Sequence, residues 1–356
     1  MSDNSRFYAC IMAGGSGERF WPMSRMRSPK QLLKLFGDTT LIEDTVRRIE
    51  GIVPRQNIFV LTNQVQLDAT RAALPMLAPE QIVAEPAKRD TAPAAALAAA
   101  LVYSRDPQGV MTLLSSDALI HNGARCGAQI SSALERATQT DALLTVGIPP
   151  DHAATGFGYL EMAEELARGA EGSVFRRVKR FVEKPDAAMA AQYVASGNFT
   201  WNAGMFVWRA AAFLAEAERS APTLATFIKE FPAGDPTAYL AAKFPTLEPK
   251  VSLDYAIMEK ARAVETVVAN FDWDDVGTWI ALPKHLPADA SGNTVRGTVA
   301  AVNATNNIAV SNGRVIALCG VKDLVVVETA DAILVCHRDA VQDIKKLQAL
   351  LPKNVL

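Results

Sequence analysis

The chain is poor in the residues that carry redox and metal chemistry. Its four cysteines (Cys10, Cys126, Cys319 and Cys336) are scattered with no paired spacing, and its four histidines are equally dispersed. A disulfide framework is therefore not expected. The thiols read as reduced groups in a cytosolic protein, and no histidine is assigned a ligand role. Charge of one sign is also missing: 36 basic and 38 acidic residues leave a net charge of −2, which argues against general nucleic-acid binding. No apolar run has spanning length; Ala92–Tyr103 is alanine-rich but too short. The first residues, Met1 to Arg6, have no apolar core of the leader-peptide type. A cytoplasmic protein without a membrane partner is expected.

Apolar residues make up 49% of 356 residues. That is enough for a sizeable core, and the length is more than one core usually takes, so two units are expected. The most informative stretch is Met12-Ala13-Gly14-Gly15-Ser16-Gly17-Glu18-Arg19-Phe20-Trp21-Pro22, followed by Pro29-Lys30. An apolar run stops at a glycine loop, and five basic side chains (Arg19, Arg25, Arg27, Lys30, Lys34) follow. Glycines let backbone wrap an anion closely, and nearby cations neutralise it, so a polyphosphate is the natural guest. The loop is not a P-loop, because Glu18-Arg19 follows Gly17 where Lys-Ser/Thr is required. Nor is it the dinucleotide fingerprint, because Phe20 stands where the third small residue belongs. That disfavours a dinucleotide oxidoreductase.

The first half alternates strands (Phe7–Met12, 57–62, 81–84, 110–114, 142–147) with helical patterns. Thr40 and Glu43 form a capping box for a helix through Ile49, and Thr91 and Pro93 open an alanine-rich helix to about Ser104. Such alternation with near-continuous apolar strands predicts an α/β fold with a mixed, mostly parallel sheet covered on both faces. Ligands of such sheets lie beyond the carboxyl ends of the strands, where the glycine loop, Glu85 and Ser115-Ser116-Asp117 all fall. Longer strands are expected at 156–162, 173–182 and 200–208, some of them antiparallel, then helices from Ala210 to about Met258. After Pro287, short β-branched runs separated by Asn and Gly predict a small β-rich appendage closed by a helix at 339–351. The expected units are residues 1–287 and 288–356.

Several constellations carry chemistry. An Asp at a strand's carboxyl end, here Asp117, often binds a divalent cation beside a phosphate, although a turn or cap Asp looks the same. A second acid stands between tryptophans in Trp273-Asp274-Asp275-Val276-Gly277-Thr278-Trp279. Mg²⁺ usually takes one or two carboxylates, so Asp117 with either Asp274 or Asp275 suffices. Glu183-Lys184-Pro185 places a cation at a strand end, suited to a substrate phosphate. Gly204 interrupts a strand at Trp201-Asn202-Ala203-Gly204, as does Gly158 in Gly156-Phe157-Gly158-Tyr159; a sugar face or a bulge explains either. Glu85-Pro86, with Arg89-Asp90-Thr91, enters a helix N-terminus that can receive an anion or a base edge.

Taken together, these segments resemble the mannose-1-phosphate guanylyltransferases, a branch of the sugar-nucleotide nucleotidyltransferase superfamily. The glycine loop with Arg19 and Pro29-Lys30 is similar to the superfamily signature. The boxes at Glu85–Pro93, Gly156–Tyr159, Phe181–Pro185, Trp201–Phe206, Ser252–Lys260 and Trp273–Trp279 are similar to the mannose-specific branch, in family order over nearly the whole chain. The resemblance implies a Rossmann-like nucleotidyltransferase domain followed by a short β-helix-like region. It implies transfer of GMP from GTP to mannose 1-phosphate, giving GDP-mannose and pyrophosphate, with Mg²⁺ held by Asp117 and Asp275. Arg19, Lys30 and Lys184 are the implied catalytic cations. Ala13, Gly14, Gly15, Ser16, Gly17, Glu85, Arg89, Thr91 and Ser116 are the implied nucleotide contacts. Gly158, Glu183, Asn202, Gly204 and Asp254 are the implied sugar contacts. A homodimer is expected.

Three departures qualify the resemblance. Ala118 stands where the family usually has His after the metal-strand Asp, and Asp274 replaces a usual Ser. The cupin-type isomerase domain of longer relatives is not found by Leu356, so no isomerase activity is expected. The chemistry implied is in-line attack on the α-phosphorus, for which a phosphate monoester needs no strong base. The alternatives are the same chemistry on another base or on another hexose or heptose phosphate, and a catalytically silent nucleotide-sugar-binding homologue.

Overall fold

The computed structural model describes residues 4–356; the first three residues of the N-terminal stretch read above for a leader lie outside them. Nine strands form one sheet: β1 (Phe7–Met12), β2 (Ile58–Asn63), β3 (Ile82–Glu85), β4 (Val110–Ser115), β5 (Leu143–Ile148), β6 (Gly158–Arg168), β7 (Val174–Glu183), β8 (Phe199–Arg209) and β9 (Val264–Val268), in the order β3-β2-β1-β4-β8-β5-β9-β7-β6. β1 to β4 pair in parallel, as do β5 and β9, whereas β7 and β8 run against all their partners. The sheet is mixed, as expected, but not mostly parallel in its pairing, because the reversed β7 and β8 make every contact they form antiparallel.

Strand alternation explains why both faces are covered. In β1, Phe7, Ala9 and Ile11 pack into one cluster, with α1 (Leu41–Ile49) and α4 (Gly123–Ala137). Tyr8 and Cys10 pack into the other, against α3 (Thr91–Tyr103). Between them in the chain, α2 (Leu67–Ala73) leads into β3. The Thr40–Glu43 capping box forms. In α3 every side chain from Ala92 to Val102 is buried, which an all-round apolar helix requires and which small alanines allow at close range. Three elements escaped the sequence reading, the short helix at Leu282–His285 among them. α5 (Ala187–Ser196) was hidden by its weak polarity contrast, and β9 by its position after a run read only as helical. That run consists of α6 (Ala210–Ser220), α7 (Pro222–Lys229), α8 (Thr237–Lys243) and α9 (Leu253–Ala256).

After α10 (Leu282–His285) the chain coils. β10 (Thr294–Arg296), β12 (Ile308–Val310) and β14 (Leu324–Glu328) stack in parallel, with β15 (Ile333–His337) antiparallel at the edge; β11 (Val299–Val302) and β13 (Ile316–Cys319) form a second parallel pair. Gly297, at φ +85°, separates β10 from β11. Buried asparagines hold successive turns. The Asn307 amide donates to Asn293 Oδ1 at 2.9 Å, and Asn307 Oδ1 accepts from the Leu324 N–H at 2.9 Å. The helix expected at 339–351 is shorter: a 3₁₀ turn at Arg338–Asp343, then α11 (Ile344–Gln348).

The C-terminal coil packs against the loop that follows the glycines. Its Ile308, Val325, Leu334, Ile344 and Val355 share one apolar cluster with Phe20, Trp21, Val276 and Trp279. The Trp21 indole donates to the Val355 carbonyl at 2.8 Å, and the Trp279 indole to the Trp21 carbonyl at 3.2 Å. A buried tryptophan of this kind costs about 3–5 kcal/mol to truncate. The loop following the glycines therefore depends for its position on the C-terminal coil.

Candidate active site

The glycine loop leaves the carboxyl end of β1 and enters one 3₁₀ turn at Glu18–Phe20. Its carbonyls are held by amide side chains: Gln31 Nε2 donates to Ala13 O (2.7 Å) and Gly15 O (3.3 Å), Gln66 Nε2 to Gly15 O (3.2 Å), and Asn63 Nδ2 to Gly14 O (3.3 Å). The backbone N–H groups of Gly14, Gly15 and Ser16 have no partner among the described residues. Fixed carbonyls with free N–H groups make an anion-binding concavity. The sequence reading missed Gln31, Gln66 and Asn63, since isolated amides carry no pattern.

One cleft of about 530 Å³ joins this loop to distant segments; it is lined by Ser16, Gly17, Arg19, Lys30, Asp117, Gly158, Glu183, Asn202, Gly204, Asp254 and Asp275, among others. β8 explains the convergence. Its residues 206–209 pair with β4, while Trp201 and Asn202 run past the end of β4 to face Ile148 and Gly147 of β5.

The acids form a defined arrangement. Lys30 is buried, and its ammonium reaches Asp117 Oδ2 (2.9 Å), Asp275 O (2.7 Å) and Val276 O (3.2 Å). Asp275 lines the cleft; burial raises its carboxyl above the usual range, the Lys30 charge opposes this, and Asp274 and Asp117 push it further up. Asp274 faces elsewhere. Its Oδ1 accepts from the Val276 N–H (2.7 Å), where φ is +47°, and its Oδ2 meets His285 Nε2 (3.1 Å) and Lys284 (3.5 Å). Of the two acids the sequence left open, geometry directs Asp275 to the cleft and commits Asp274 to bracing the turn. A half-exposed Asp117 and a partly buried Asp275, with one lysine bound to the Asp117 carboxylate and to the Asp275 carbonyl, suit a hard cation that completes its shell with phosphate and water oxygens.

The opposite wall is a polar cluster. Asn202 accepts from the Thr145 hydroxyl (2.7 Å) and donates to Asp254 Oδ1 (3.1 Å). Gly158 pairs with Glu183 across β6 and β7. A Cβ on Gly158 would lie 2.6 Å from Glu183 Oε2 and 3.1 Å from the Phe181 ring, so only glycine leaves room for the carboxylate. Phe157 packs edge-on against Trp201 and Trp273, at 5.1 and 5.4 Å between ring centroids.

Other expected residues lie outside the cleft lining. Lys184 Nζ is bound to Glu183 Oε1 at 2.7 Å, which holds its ammonium above the usual lysine range. Ala13 and Ser116 are buried, and the Ser116 N–H donates to Met12 O at 3.1 Å. The start of α3 is not an open anion site. The Thr91 N–H is capped by Asp90 Oδ1 (2.7 Å), the Ala92 N–H by Val251 O (3.2 Å), and the Thr91 hydroxyl accepts from the Leu253 N–H (2.9 Å). Arg89 pairs with Glu248 at 3.5 Å. Glu85 faces Gly14, and its carboxyl has no hydrogen-bond partner among the described residues.

Burial pushes Glu85 up to about 8; burial and then the Glu183 charge push Asp254 up to about 7. A carboxyl raised on folding stabilises the fold below its unfolded value, near 4, and loses that contribution as pH rises through the folded value. The melting temperature is therefore expected to fall between about pH 5 and pH 8.5. Glu85→Gln is expected to flatten that fall in a fluorimetric melt series; an unchanged slope would contradict the shift.

The nucleotidyl transferase family profile matches residues 8–291. The chain belongs to the nucleotidyl transferase family. A second profile, the MannoseP isomerase/GMP-like beta-helix domain, matches residues 297–350 of this nucleotidyl transferase. The mannose-1-phosphate guanylyltransferase of Escherichia coli K12 is 36% identical over 356 residues, covering 96% of this chain and 73% of that protein. The alginate biosynthesis protein AlgA of Pseudomonas aeruginosa is 35% identical, covering 94% and 70%. A solved structure from Thermus thermophilus, named a mannose-1-phosphate geranyltransferase, superposes with a TM-score of 0.86 at 29% identity, covering 97% of this chain and 99% of that one. No helix among the described residues is long and apolar enough to cross a membrane.

Proposed function

We propose that the cleft transfers GMP from GTP to mannose 1-phosphate, releasing pyrophosphate and forming GDP-mannose. One observation carries this reading: a glycine loop with Arg19, the Asp117–Asp275 pair and the Glu183–Asn202–Asp254 cluster line a single cleft. The relatives' names, together with identity near 35% over almost the whole chain, support the substrate choice.

The loop N–H groups and Arg19 receive the triphosphate. Glu85, beside Gly14, lies toward the ribose and base with Arg89 and Thr91 behind it, and Ala13 and Ser116 fix the strand ends. Glu183, Asn202 and Asp254 hold sugar hydroxyls, Gly204 and Gly158 keep the wall open, and Lys184 takes the sugar phosphate. The phosphate monoester, largely dianionic near pH 7, attacks the α-phosphorus; the bond to the bridging β-phosphate oxygen breaks, and pyrophosphate leaves with that electron pair. No residue need remove a proton, so the work is alignment and charge neutralisation. Mg²⁺ bound by Asp117 and Asp275 would supply Lewis-acid stabilisation of the phosphoryl oxygens. Lys30 acts by holding both acids.

The same reading takes residues 1–287 as the catalytic unit and 288–356 as the β-rich unit, supported by the bridge from Ala288 to Thr294. It places the reaction in the cytoplasm, without nucleic acid. It makes the protein a homodimer, supported by the exposed Val302, Ile333 and Val335 on the C-terminal strands.

Pyrophosphate release from GTP, ATP, UTP and dTTP, each with mannose and glucose 1-phosphate, tests the assignment. GTP with mannose 1-phosphate is expected to be fastest. Preference for another pair would replace the substrates, and GDP-mannose binding without turnover would favour a silent homologue. Gly158→Ala is expected to raise KM for the sugar phosphate about tenfold, because Glu183 must move, with KM for GTP unchanged.

A further inference from the structure

Lys30 appears in the signature as a phosphate-binding cation, yet its ammonium already has three acceptors, Asp117 and two backbone carbonyls. Arg19 is exposed and has no ion pair among the described residues. One further cation lines the cleft near the glycine loop: Lys345 of α11. Its side chain is 68% exposed and meets Glu18 Oε2 at 3.1 Å. The other carboxylate oxygen, Glu18 Oε1, accepts from the Ser16 hydroxyl at 3.2 Å. A carboxylate thus rests between a loop hydroxyl and an ammonium group, the donor set that a phosphate oxygen prefers.

The position of α11 does not depend on this pair. Gln348 Nε2 donates to the Glu18 carbonyl at 2.7 Å, and Ile344 is buried in the cluster shared with Phe20 and Trp21. Burial pushes the Glu18 carboxyl up, but Lys345, Ser16 and the more distant Lys88 together bring it below the usual range. The seat therefore favours negative charge.

We propose that Glu18 is an internal occupant of an anion seat formed by Ser16 and Lys345, and that incoming triphosphate displaces it, so that Lys345 becomes a ligand of the departing pyrophosphate. The C-terminal coil then contributes a charge to the cleft as well as a wall. This rests on reading the cleft as a nucleotidyl-transfer site.

Calorimetric titration with magnesium pyrophosphate, paired with forward kinetics, tests the idea on the full chain. Lys345→Gln is expected to weaken pyrophosphate binding and raise KM for GTP, each about tenfold, the size of one charge-assisted hydrogen bond, with KM for mannose 1-phosphate unmoved. Lys345→Arg restores most of the affinity. Glu18→Gln removes the competing charge and is expected to tighten pyrophosphate binding several-fold. A pair that only braces the loop predicts the opposite: Glu18→Gln weakening binding as Lys345→Gln does. That result, or wild-type affinity in Lys345→Gln, overturns the proposal. Pyrophosphate binding without turnover of GTP and mannose 1-phosphate would overturn the substrate reading, and the Lys345 comparison would still decide the seat.

Discussion

Asp275→Asn is expected to lower turnover by about 10²–10³, the usual cost of losing one charge-stabilising group at a reacting phosphoryl centre. It is also expected to leave the fold at least as stable. Asp275 carries a carboxyl raised by burial and by its neighbours Asp274 and Asp117. Such a group costs stability once pH exceeds the ordinary carboxylate range, so an amide gains on the wild type at pH 7–8 and not near pH 4. Lost activity with a raised or unchanged melting temperature separates a functional acid from a structural one. Asp117→Asn is expected to match the loss in turnover with a smaller effect on melting, because Lys30 retains its two backbone acceptors. Asp274→Asn is the informative contrast. An asparagine oxygen still accepts from the Val276 N–H, while the contacts to His285 and Lys284 weaken. Turnover within a few-fold of wild type is expected there. Normal pyrophosphate release by both Asp117→Asn and Asp275→Asn would remove the metal assignment.

Local rules made much of the fold legible in the sequence. The Thr40–Glu43 capping box, the apolar run of β1 and the alanine-rich α3 each obey a rule that acts within one segment. The loop at Gly14–Gly17 was readable because its glycines, Arg19 and Lys30 lie close together in the chain. What stayed hidden arises between segments. No pattern of residue types distinguishes Asp275 from Asp274; the choice depends on how the turn at Val276 folds and on its pairing with Leu119, far back in the chain. Gln31 and Gln66 bind the loop carbonyls only because the fold brings them there. Most of all, Lys345 and Val355 reach Glu18 and Trp21 from more than 300 residues away. No periodicity in the C-terminal runs announces that they face the glycine loop.

That dependence between segments gives the other large effect. Lys30→Met is expected to reduce both stability and turnover. The Asp275 and Val276 carbonyls lose their donor in a buried setting, at about 1–3 kcal/mol for each group left unsatisfied, and Asp117 loses its counter-charge. Lys30→Arg is not expected to rescue it, because three acceptors meet a single nitrogen and a planar guanidinium fork cannot replace that point charge. Gly17→Ala attacks the same contact from the other side. Gly17 sits at φ +59°, and a methyl group there would lie 2.6 Å from both the backbone nitrogen and Cβ of Lys30. Left-handed backbone alone costs a non-glycine residue about 1–2 kcal/mol, and the clash then shifts Lys30 away from the acids. If both substitutions act through the position of that ammonium, their effects in urea unfolding and in pyrophosphate release overlap, and the double variant loses clearly less than the sum. Strict additivity would mean that the glycine shapes the loop independently of Lys30, and that the loop and the acid pair are built separately.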